Sequence, residues 1–351
     1  MTLIFTENRS IFACPACGGD LVWESEKAVC AACDRGFPLQ EDIPRFFHPH
    51  DPGDRRDVTD IVKAFYETNP FPNYDELDSR ESLAAKARRG VFARLLDEQI
   101  PPNSLVLEVG CGTGQLTNFL GMAWNRKVFG SDVCLNSLRL AEGFRSRYSI
   151  ENAGFLQMNL FRPAFGVGSF DLVVSNGVLH HTADPRGAFD SISRLVKPRG
   201  HIIIGLYNRI GRLTTDLRRN FFHFFGDRWS SALDGHMRNR AYNQARKRAW
   251  FMDQYKHPQE SKHSYDEVMD WFESRGFDFL FSIPKIGPAP FDDDEKLFVP
   301  HSKGSHASRL LTQIDMLVRG GVDGALFIMI GRKRAAGNSK PYLGGGAGGQ
   351  E

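Results

Sequence analysis

From Ser104 onward, short apolar runs alternate with stretches of helical period. The apolar runs are SLVLEV, KVFGSDV, FDLVVSNGV and HIIIGLY, with GFLQMNL as a weaker fifth. They are rich in β-branched or aromatic side chains and are bounded by Gly, Pro or Asp, which is typical of buried parallel strands. Helical patterns fill the gaps at LTNFLGMA, LNSLRLAEGFR and AFDSISRLV. The alternation predicts an α/β fold built on a doubly wound sheet.

The pattern changes at several places, and these changes divide the chain. The first piece is too small to bury a useful core and pairs four cysteines with short alternating strands. A hydrophilic linker and helices come next, and after the fifth strand the regular alternation stops for a basic, aromatic insertion. The predicted organisation is a zinc ribbon over 1–50, a linker with cap helices over 51–100, an α/β domain over 101–334 with an insertion at 209–262, and a disordered glycine-rich tail over 335–351.

The α/β pattern resumes after the insertion. Ser264 and Glu267 form a capping box, and Gly276 ends that helix before the strand FDFLFSI. A second helix near Ala307 to Val318 precedes the last strand, GALFIMIGRK. Two further strands are therefore expected in the same domain.

Composition adds few constraints. The chain has 351 residues and a formal net charge of +2, so an affinity for nucleic acid or membranes has to come from a local patch. The sequence shows neither an apolar run long enough to span a bilayer nor a signal-peptide pattern. A cytoplasmic location is expected.

The stretch LEVGCGTGQL joins the first predicted strand to a helix and carries three glycines at alternate positions. Glycines at such a turn allow a ligand to approach the backbone closely, and the helix N-terminus offers unpaired N–H groups. The spacing of Gly110, Gly112 and Gly114 is G-x-G-x-G, whereas a dinucleotide site has G-x-G-x-x-G. Asp132 ends the second strand, where a carboxylate can accept bonds from both ribose hydroxyls. Glu108 adds a second carboxylate, which favours a positively charged nucleoside without phosphates.

Several ordered motifs carry a family resemblance. LEVGCGTGQL, the Asp132 strand end, SFDLVVSNGVLHHTADP and LVKPRGHIIIGLYN resemble class I S-adenosylmethionine-dependent methyltransferases, which have a Rossmann-like fold. The similarity runs from Leu105 to about Arg332, and within the class it is greatest to the ubiquinone and menaquinone biosynthesis branch. The resemblance implies an enzyme that methylates a hydroxyl or carbon on a small or lipid-like acceptor.

The resemblance also implies roles for individual residues. The backbone of the loop from Gly110 through Gly112 to Gly114 would lie against the cofactor. Glu108 would face its ammonium group, and Asp132 would hold its ribose. After the third strand, Asn159 stands at a position that is acidic in many relatives, and its side-chain carbonyl would accept from the adenine amino group. After the fourth strand, Asn176 and Leu179 would pack near the sulfonium.

Two histidines, His180 and His181, follow the fourth strand at the edge of the sheet where ligands bind. His181 matches a histidine of quinone O-methyltransferases, and imidazole titrates near neutral pH, so it is a candidate general base. A structural or substrate-shaping role is the alternative for this histidine. Tyr207, Tyr255 and His257 are further candidates to face the substrate.

The first four cysteines have the spacing C-x2-C-x12-C-x2-C, close to that of a zinc ribbon: Cys14, Cys17, Cys30 and Cys33. Four thiolates select tetrahedral zinc, and a closed site of this kind is structural. The segment also resembles the Trm112 type of zinc ribbon, which accompanies some methyltransferases. Because zinc ribbons also precede certain ribosomal RNA methyltransferases, RNA or protein methylation is an alternative, and a non-catalytic cofactor-binding protein is another.

The insertion is both basic and aromatic. Between Arg209 and Arg248 there are ten Lys or Arg residues against three Asp residues. Five apolar residues fall on one side of a predicted helix: Leu213, Leu217, Phe221, Phe224 and Phe225. The pattern suits a lid over the active site, a surface for anionic membranes and lipid-like substrates, or an RNA-binding face. Because the phenylalanines cluster rather than alternate with charges, lipid contact is favoured over RNA.

Overall fold

The computed structural model describes residues 3–53, 57–72, 79–240, 242–287, 289–318 and 324–335. The predicted disordered tail, from residue 336 onward, lies outside the described residues, as do Asn73 and Tyr74 of the aromatic loop NPFPNY.

Strands form two sheets. In chain order they are β1 (Leu21–Trp23), β2 (Lys27–Cys30), β3 (Gly36–Gln40), β4 (Ile43–Pro44), β5 (Ser104–Val109), β6 (Arg126–Asp132), β7 (Ala153–Gln157), β8 (Phe170–Asn176), β9 (Val196–Tyr207), β10 (Phe277–Ile283) and β11 (Leu326–Lys333). The small sheet has the order β1-β2-β3-β4, and the main sheet has the order β10-β11-β9-β8-β5-β6-β7.

Helices flank the main sheet and build the segments around it. They are α1 (Leu3–Glu7), α2 (Thr59–Thr68), α3 (Arg80–Arg89), α4 (Val91–Gln99), α5 (Gln115–Gly121), α6 (Leu135–Arg147), α7 (Pro185–Ser193), α8 (Leu213–Phe225), α9 (Ser230–Leu233), α10 (Gly235–Arg238), α11 (Gln244–Tyr255), α12 (Tyr265–Ser274) and α13 (His306–Val318). Single 3-10 turns cover Arg9–Ile11, Leu179–His181 and Asp227–Trp229.

The main sheet confirms the predicted doubly wound α/β fold. Strands β5 to β9 are parallel, and β11 lies antiparallel between β9 and β10. The chain winds outward from β5 through β6 to β7 and then crosses back to β8 on the other side of β5. Ligands of such sheets bind at the carboxyl ends of the strands, where the winding direction reverses.

Apolar layers cover both faces of the main sheet. Val106 and Leu107 are consecutive in β5, and both are fully buried, one in each layer. Strands with both faces covered carry near-continuous apolar runs, which explains why the parallel strands are recognisable in the sequence.

The predicted helix before Pro101 is in fact two helices, α3 and α4, that meet at Gly90. The backbone of Gly90 is extended, and it serves as the C-cap of α3 and the N-cap of α4. Leu83 from α3 and Leu96 from α4 both reach the same apolar layer of the main sheet. The two short helices on either side of the break therefore pack on the same face of the sheet.

The N-terminal ribbon shares its core with the α/β domain. The backbone N–H of Phe46 donates to the carbonyl of Gln157 at the end of β7, with an N–O distance of 2.9 Å. The buried ring of Phe46 stacks on Phe12 at 5.7 Å and lies 5.8 Å from Trp23. Phe12 in turn contacts Phe129 of β6, with ring centroids 6.0 Å apart. The ribbon thus obtains from β6 and β7 the apolar contacts that its own length cannot supply.

Phe46→Ala removes the ring that joins the ribbon to the main core, and we expect it to lower the free energy of unfolding by about 3–5 kcal/mol. Urea denaturation followed by circular dichroism measures the change. Phe224→Ala is the matched control, because that ring is 78% exposed, and it should change stability by less than about 0.5 kcal/mol. Equal effects of the two substitutions would contradict a shared core.

Candidate active site

A cavity of about 340 Å³ opens at the carboxyl ends of β5, β6 and β8. This volume is in the range of small-molecule sites. Eight of the residues predicted from the sequence line it: Glu108, Gly110, Gly112, Asp132, Asn159, Asn176, His181 and Tyr207. Gly114, Leu179 and His180 do not. The cavity therefore brings together residues from five strand ends, as the winding of the sheet requires.

The glycine loop has left-handed backbone at all three glycines, with φ of 74°, 52° and 73° at Gly110, Gly112 and Gly114. A Cβ atom on Gly110 would clash with Val178, and one on Gly112 would clash with the carbonyl of Phe71. Gly114 instead faces the buried ring of Phe155. Only glycine fits these positions, and the third one serves helix packing rather than the cavity.

The segment Asn69 to Pro72 covers the glycine loop. The Thr113 hydroxyl donates to the carbonyl of Pro72, and the Thr113 N–H donates to that of Phe71 at 3.4 Å. Phe71 and Pro72 line the cavity together with Tyr66 of α2. The described part of the aromatic loop is thus a wall of the same site.

Two carboxylates lie at the ends of β5 and β6, where Glu108 is buried and Asp132 is half-buried. Glu108 accepts a 2.5 Å hydrogen bond from the Thr117 hydroxyl, while Asp132 accepts from the backbone N–H groups of Gly112 and Cys134 at 2.8 Å each. Burial, with a further contribution from Asp132, raises the pKa of Glu108 to about 7. Burial likewise raises the pKa of Asp132. Both acids therefore gain most from a positively charged ligand, because a nearby cation stabilises the ionised carboxylate that burial disfavours.

Asn159 follows β7 and is buried, and its amide group already has partners. Its Nδ2 donates to the carbonyl of His48 at 3.0 Å, and its Oδ1 accepts from the N–H of Phe161 at 3.0 Å. The side chain thus ties the ribbon to the cavity wall. Asn176, at the end of β8, is exposed, and Leu179 is fully buried in the 3-10 turn below the cavity.

His181 faces the cavity with its tautomer set by the backbone. Its Nδ1 lies 2.8 Å from the carbonyl oxygen of Gln259, an acceptor, so Nδ1 carries the proton and Nε2 keeps its lone pair. Burial lowers the pKa of His181 to about 4, so the ring is neutral at physiological pH. The His257 ring packs against it at a centroid distance of 3.7 Å.

His180 lies behind His181, against Tyr207, with ring centroids 4.1 Å apart. It is fully buried, neither ring nitrogen has a hydrogen-bond partner among the described residues, and burial holds its pKa well below the usual value. Since His180 does not line the cavity whereas His181 does, the geometry favours His181 of the two, as the sequence did.

A buried polar network closes the cavity on the side of the insertion. The Tyr66 hydroxyl donates to Asp253 at 3.1 Å, and the Gln254 amide donates to Asp253 at 2.9 Å and to the Tyr207 hydroxyl at 2.8 Å. These four side chains line the cavity. Of them, only Tyr207 stood out in the sequence; the others lack a local motif, and Tyr66 and Asp253 are 187 positions apart.

A buried ion pair supports this network from outside. Arg212, which is fully buried, donates to Glu260 at 3.0 and 2.8 Å, and its guanidinium group lies 3.7 Å from the centroid of the Tyr207 ring. Arg219 also donates to Glu260, at 2.6 Å. The hydrogen bonds and charge of Arg212 outweigh burial and lower the pKa of Glu260 to about 2. Because Arg212, Arg219 and Glu260 all belong to the insertion, the charge pairing holds the insertion together. The Arg212 guanidinium over the Tyr207 ring joins it to the end of β9.

The four N-terminal cysteines converge on one point. Their sulfur atoms all lie within 4.8 Å of one another, with 3.8 Å between Cys14 and Cys33 and 3.4 Å between Cys17 and Cys30. A zinc–sulfur bond of about 2.3 Å gives sulfur–sulfur edges of about 3.8 Å in a tetrahedron. The four thiols are free, and their arrangement fits a structural zinc ion.

Comparison with known proteins decides the family of the central segment. Residues 107–204 match the family model Methyltransf_11, described as a methyltransferase domain. This segment is a methyltransferase domain. The match confirms the resemblance seen in the sequence and covers the glycine loop, Asp132 and both histidines. The methyltransferase domain thus contains most of the residues at the strand ends, while Tyr66, Asp253 and Gln254 come from flanking segments.

Individual relatives cover parts of the chain. An uncharacterized protein of Synechococcus sp. is 28% identical over 248 residues, which are 64% of this chain and 60% of that protein. The mitochondrial ubiquinone biosynthesis O-methyltransferase of Dictyostelium discoideum is 32% identical over 113 residues, 30% of this chain and 35% of that enzyme. The structure of PKMT2 from Rickettsia typhi shares the fold, with a TM-score of 0.50 and 16% identity over 70% of this chain and 53% of that one. The chain thus spans less than two thirds of each of these proteins.

We expect the protein purified without chelator to contain about one zinc ion per chain, as measured by atomic absorption. Cys30→Ser should lose the metal and lower the thermal unfolding temperature, because the ribbon then lacks a ligand. Cys134→Ser is the control: that sulfur accepts from the N–H and the hydroxyl of Ser137 at the start of α6, and a serine oxygen can accept both bonds. Zinc-free parent protein of full stability would contradict the assignment.

Proposed function

We propose that the protein is an S-adenosylmethionine-dependent methyltransferase acting on a hydroxyl or carbon of a small or lipid-like acceptor. The observation that carries the proposal is that one cavity is lined by two carboxylates, Glu108 and Asp132, and by a neutral histidine, His181. The methyltransferase domain and the relatives named as O-methyltransferases support it.

S-adenosylmethionine supplies an electrophilic methyl group on a sulfonium sulfur. Glu108 would hold the ammonium group and Asp132 the ribose, with the backbone from Gly110 to Gly112 beside them. The raised pKa of both carboxyl groups fits this ligand, because a nearby cation favours the ionised form that burial disfavours. Asn159 and Asn176 line the same cavity and complete the predicted contacts.

His181 is the group we assign as general base. Its Nδ1–H is held by the carbonyl of Gln259, so the free Nε2 is the position that can take a proton from an acceptor hydroxyl. Its low pKa keeps the ring unprotonated at physiological pH. The same low pKa makes it a weak base, so alignment of the acceptor and its partial removal from water supply the larger share of the rate.

We assign the part of the cavity wall away from the proposed cofactor contacts to the acceptor and call it the acceptor half. It is mainly apolar, with lining residues that include Val62, Tyr66, Trp250 and Leu326. Asp253 and Gln254 add polar groups held by hydrogen bonds. This composition suits an aromatic or lipid-like acceptor with a few polar groups.

RNA or protein methylation is the second candidate, suggested by the zinc ribbon and the basic insertion. The ribbon already has a structural use, since Phe46 and Phe12 pack into the main core. A non-catalytic cofactor-binding protein remains the third candidate. No helix in the described residues is long and apolar enough to cross a membrane, and the cytoplasmic location stays a prediction.

Incubation of the protein with methyl-labelled S-adenosylmethionine and a cell extract tests the acceptor class. We expect label in the lipid or small-molecule fraction and not in RNA or protein. Label confined to RNA or to protein would contradict the acceptor class, and tight cofactor binding without any labelled product would contradict catalysis.

His181→Asn should lower the rate of O-methylation about 100-fold or more, because the base is removed while the cavity keeps its volume. Cofactor affinity should stay within about twofold, since His181 is placed at the acceptor end. His306→Asn, on an imidazole that is 76% exposed, serves as the control. An unchanged rate in His181→Asn would show that the residue only shapes the site.

Affinity for S-adenosylhomocysteine, measured by calorimetry, should rise about tenfold from pH 6 to pH 8, since the ammonium group binds ionised Glu108 and its pKa is about 7. The sign follows because Glu108 is largely neutral below pH 7 and charged above it. Glu108→Gln cannot ionise and should bind more weakly with a flatter pH profile. An unchanged slope in this variant would contradict the role of Glu108.

A further inference from the structure

The outer side of α8 and the segment after it expose a cluster of large apolar side chains. Leu217 is 70% exposed, and Phe225 is 59% exposed. We call this cluster the insertion face, and it consists of Leu213, Leu217, Phe224, Phe225, Trp229 and Leu233. Single exposed apolar residues need no explanation, whereas a concentration of them over 213–233 is typical of an interaction site.

Helix α8 is held in place by its opposite side. The buried ring of Phe222 lies 5.5 Å from Phe251 and 4.9 Å from Tyr255, both in α11. Arg219 adds its ion pair with Glu260 on the same side. Because these contacts already fix the helix, the insertion face is not needed for packing and stays open to solvent.

The insertion around this face is strongly basic. Residues 209–262 contain twelve Lys or Arg residues and five Asp or Glu residues, an excess of seven positive charges in a chain whose total is +2. The five acids all have partners within the protein: Asp216 with Lys262, Asp227 with Lys256, Asp234 with Tyr255, Asp253 with Tyr66 and Glu260 with Arg212. Arg212 is fully buried, and Arg209 pairs with Glu267 outside the insertion. Positive charge is still available to an anionic partner, because four other arginines of the insertion are exposed: Arg228, Arg238, Arg240 and Arg248.

We propose that the insertion face binds the surface of an anionic lipid bilayer. Its apolar side chains enter the boundary between headgroups and acyl chains, and the surrounding arginines and lysines face the headgroups. Arg228 lies over the Trp229 ring at 5.6 Å, an arrangement suited to the interface, where tryptophan is favoured. With 13 residues, α8 lies on the bilayer and is too short to cross it.

The composition of the face distinguishes a bilayer from RNA. Single-stranded RNA is bound by aromatic rings that stack on bases along a basic groove. Half of the insertion face is leucine, at positions 213, 217 and 233, and leucine cannot stack on a base. Aliphatic and aromatic side chains together beside a cationic surround are the composition of an interfacial helix.

The insertion face includes the outer side of a helix that packs next to the acceptor half of the cavity, so membrane binding would serve the proposed reaction. Helix α8 rests on α11, whose Trp250, Asp253 and Gln254 line the acceptor half of the cavity. Docking therefore brings the acceptor wall close to the bilayer in which a lipid-like acceptor resides. This link rests on the proposed function, whereas the bilayer contact does not, because vesicle binding is measured without methyl transfer.

Sedimentation of the full chain with sucrose-loaded vesicles tests the proposal. The vesicles contain either phosphatidylcholine alone or phosphatidylcholine with 30% phosphatidylglycerol. We expect the parent to partition onto the anionic vesicles at least tenfold more than onto the neutral ones, and less so as salt is added. The triple variant Leu217→Ser, Phe224→Ser, Phe225→Ser should lose at least tenfold of this binding.

The matched control is Trp124→Ser with Val167→Ser, which removes two equally exposed apolar side chains, 88% and 78%, outside the insertion. It should bind vesicles as the parent does, and thermal unfolding should show that both variants remain folded. The proposal is overturned if the parent does not bind anionic vesicles, or if the triple variant binds them as strongly as the parent does. The proposal is also overturned if the parent is a dimer that does not bind vesicles while the triple variant is a monomer, because the face would then be a dimer interface.

Discussion

Two carboxylates at the ends of neighbouring parallel strands are the constraint on which the site depends. Glu108 pairs with Gly130 in the register of β5 and β6, and Asp132 follows two residues later at the same edge. Glu108 accepts a hydrogen bond from the Thr117 hydroxyl, and Asp132 accepts from the backbone N–H groups of Gly112 and Cys134. Burial raises the pKa of both acids. The left-handed turn at Gly112 is what aims an N–H at Asp132. The loop is therefore shaped around the acids and around the space beside them.

The segments that flank the methyltransferase domain contribute residues to the wall of the cavity. The Asn69 to Pro72 segment covers the glycine loop, and the ribbon reaches the cavity wall through His48 and Asn159. The insertion contributes Asp253 and Gln254, which bond to Tyr66 and Tyr207 outside it. Arg212 adds a hydrogen bond to the carbonyl of Gly324. Each segment is joined to the domain by specific hydrogen bonds or ring contacts, and these contacts explain how segments far apart in the sequence line one cavity.

The features that the sequence predicted well are those encoded by neighbouring residues. Buried strands, the glycine turn, the strand-end acid Asp132 and the cysteine spacing are all local patterns, and each has its expected place in the structure. Gly90 was overlooked as a helix break because a single glycine inside a helical pattern is often tolerated. Tyr66, Asp253 and Gln254 escaped notice because their role arises only when distant segments pack together. On α8 the predicted apolar side includes the exposed residues Leu217 and Phe224, while Phe222 carries the buried contact.

The central claim is that the cavity was shaped for a cationic nucleoside without phosphates. Calorimetric titration with S-adenosylmethionine and, separately, with NAD tests it most directly, using the parent and Asp132→Asn. The account predicts that the parent binds S-adenosylmethionine and not NAD, and that Asp132→Asn weakens this binding at least tenfold. Preferential binding of NAD, or full affinity for S-adenosylmethionine in Asp132→Asn, would contradict it.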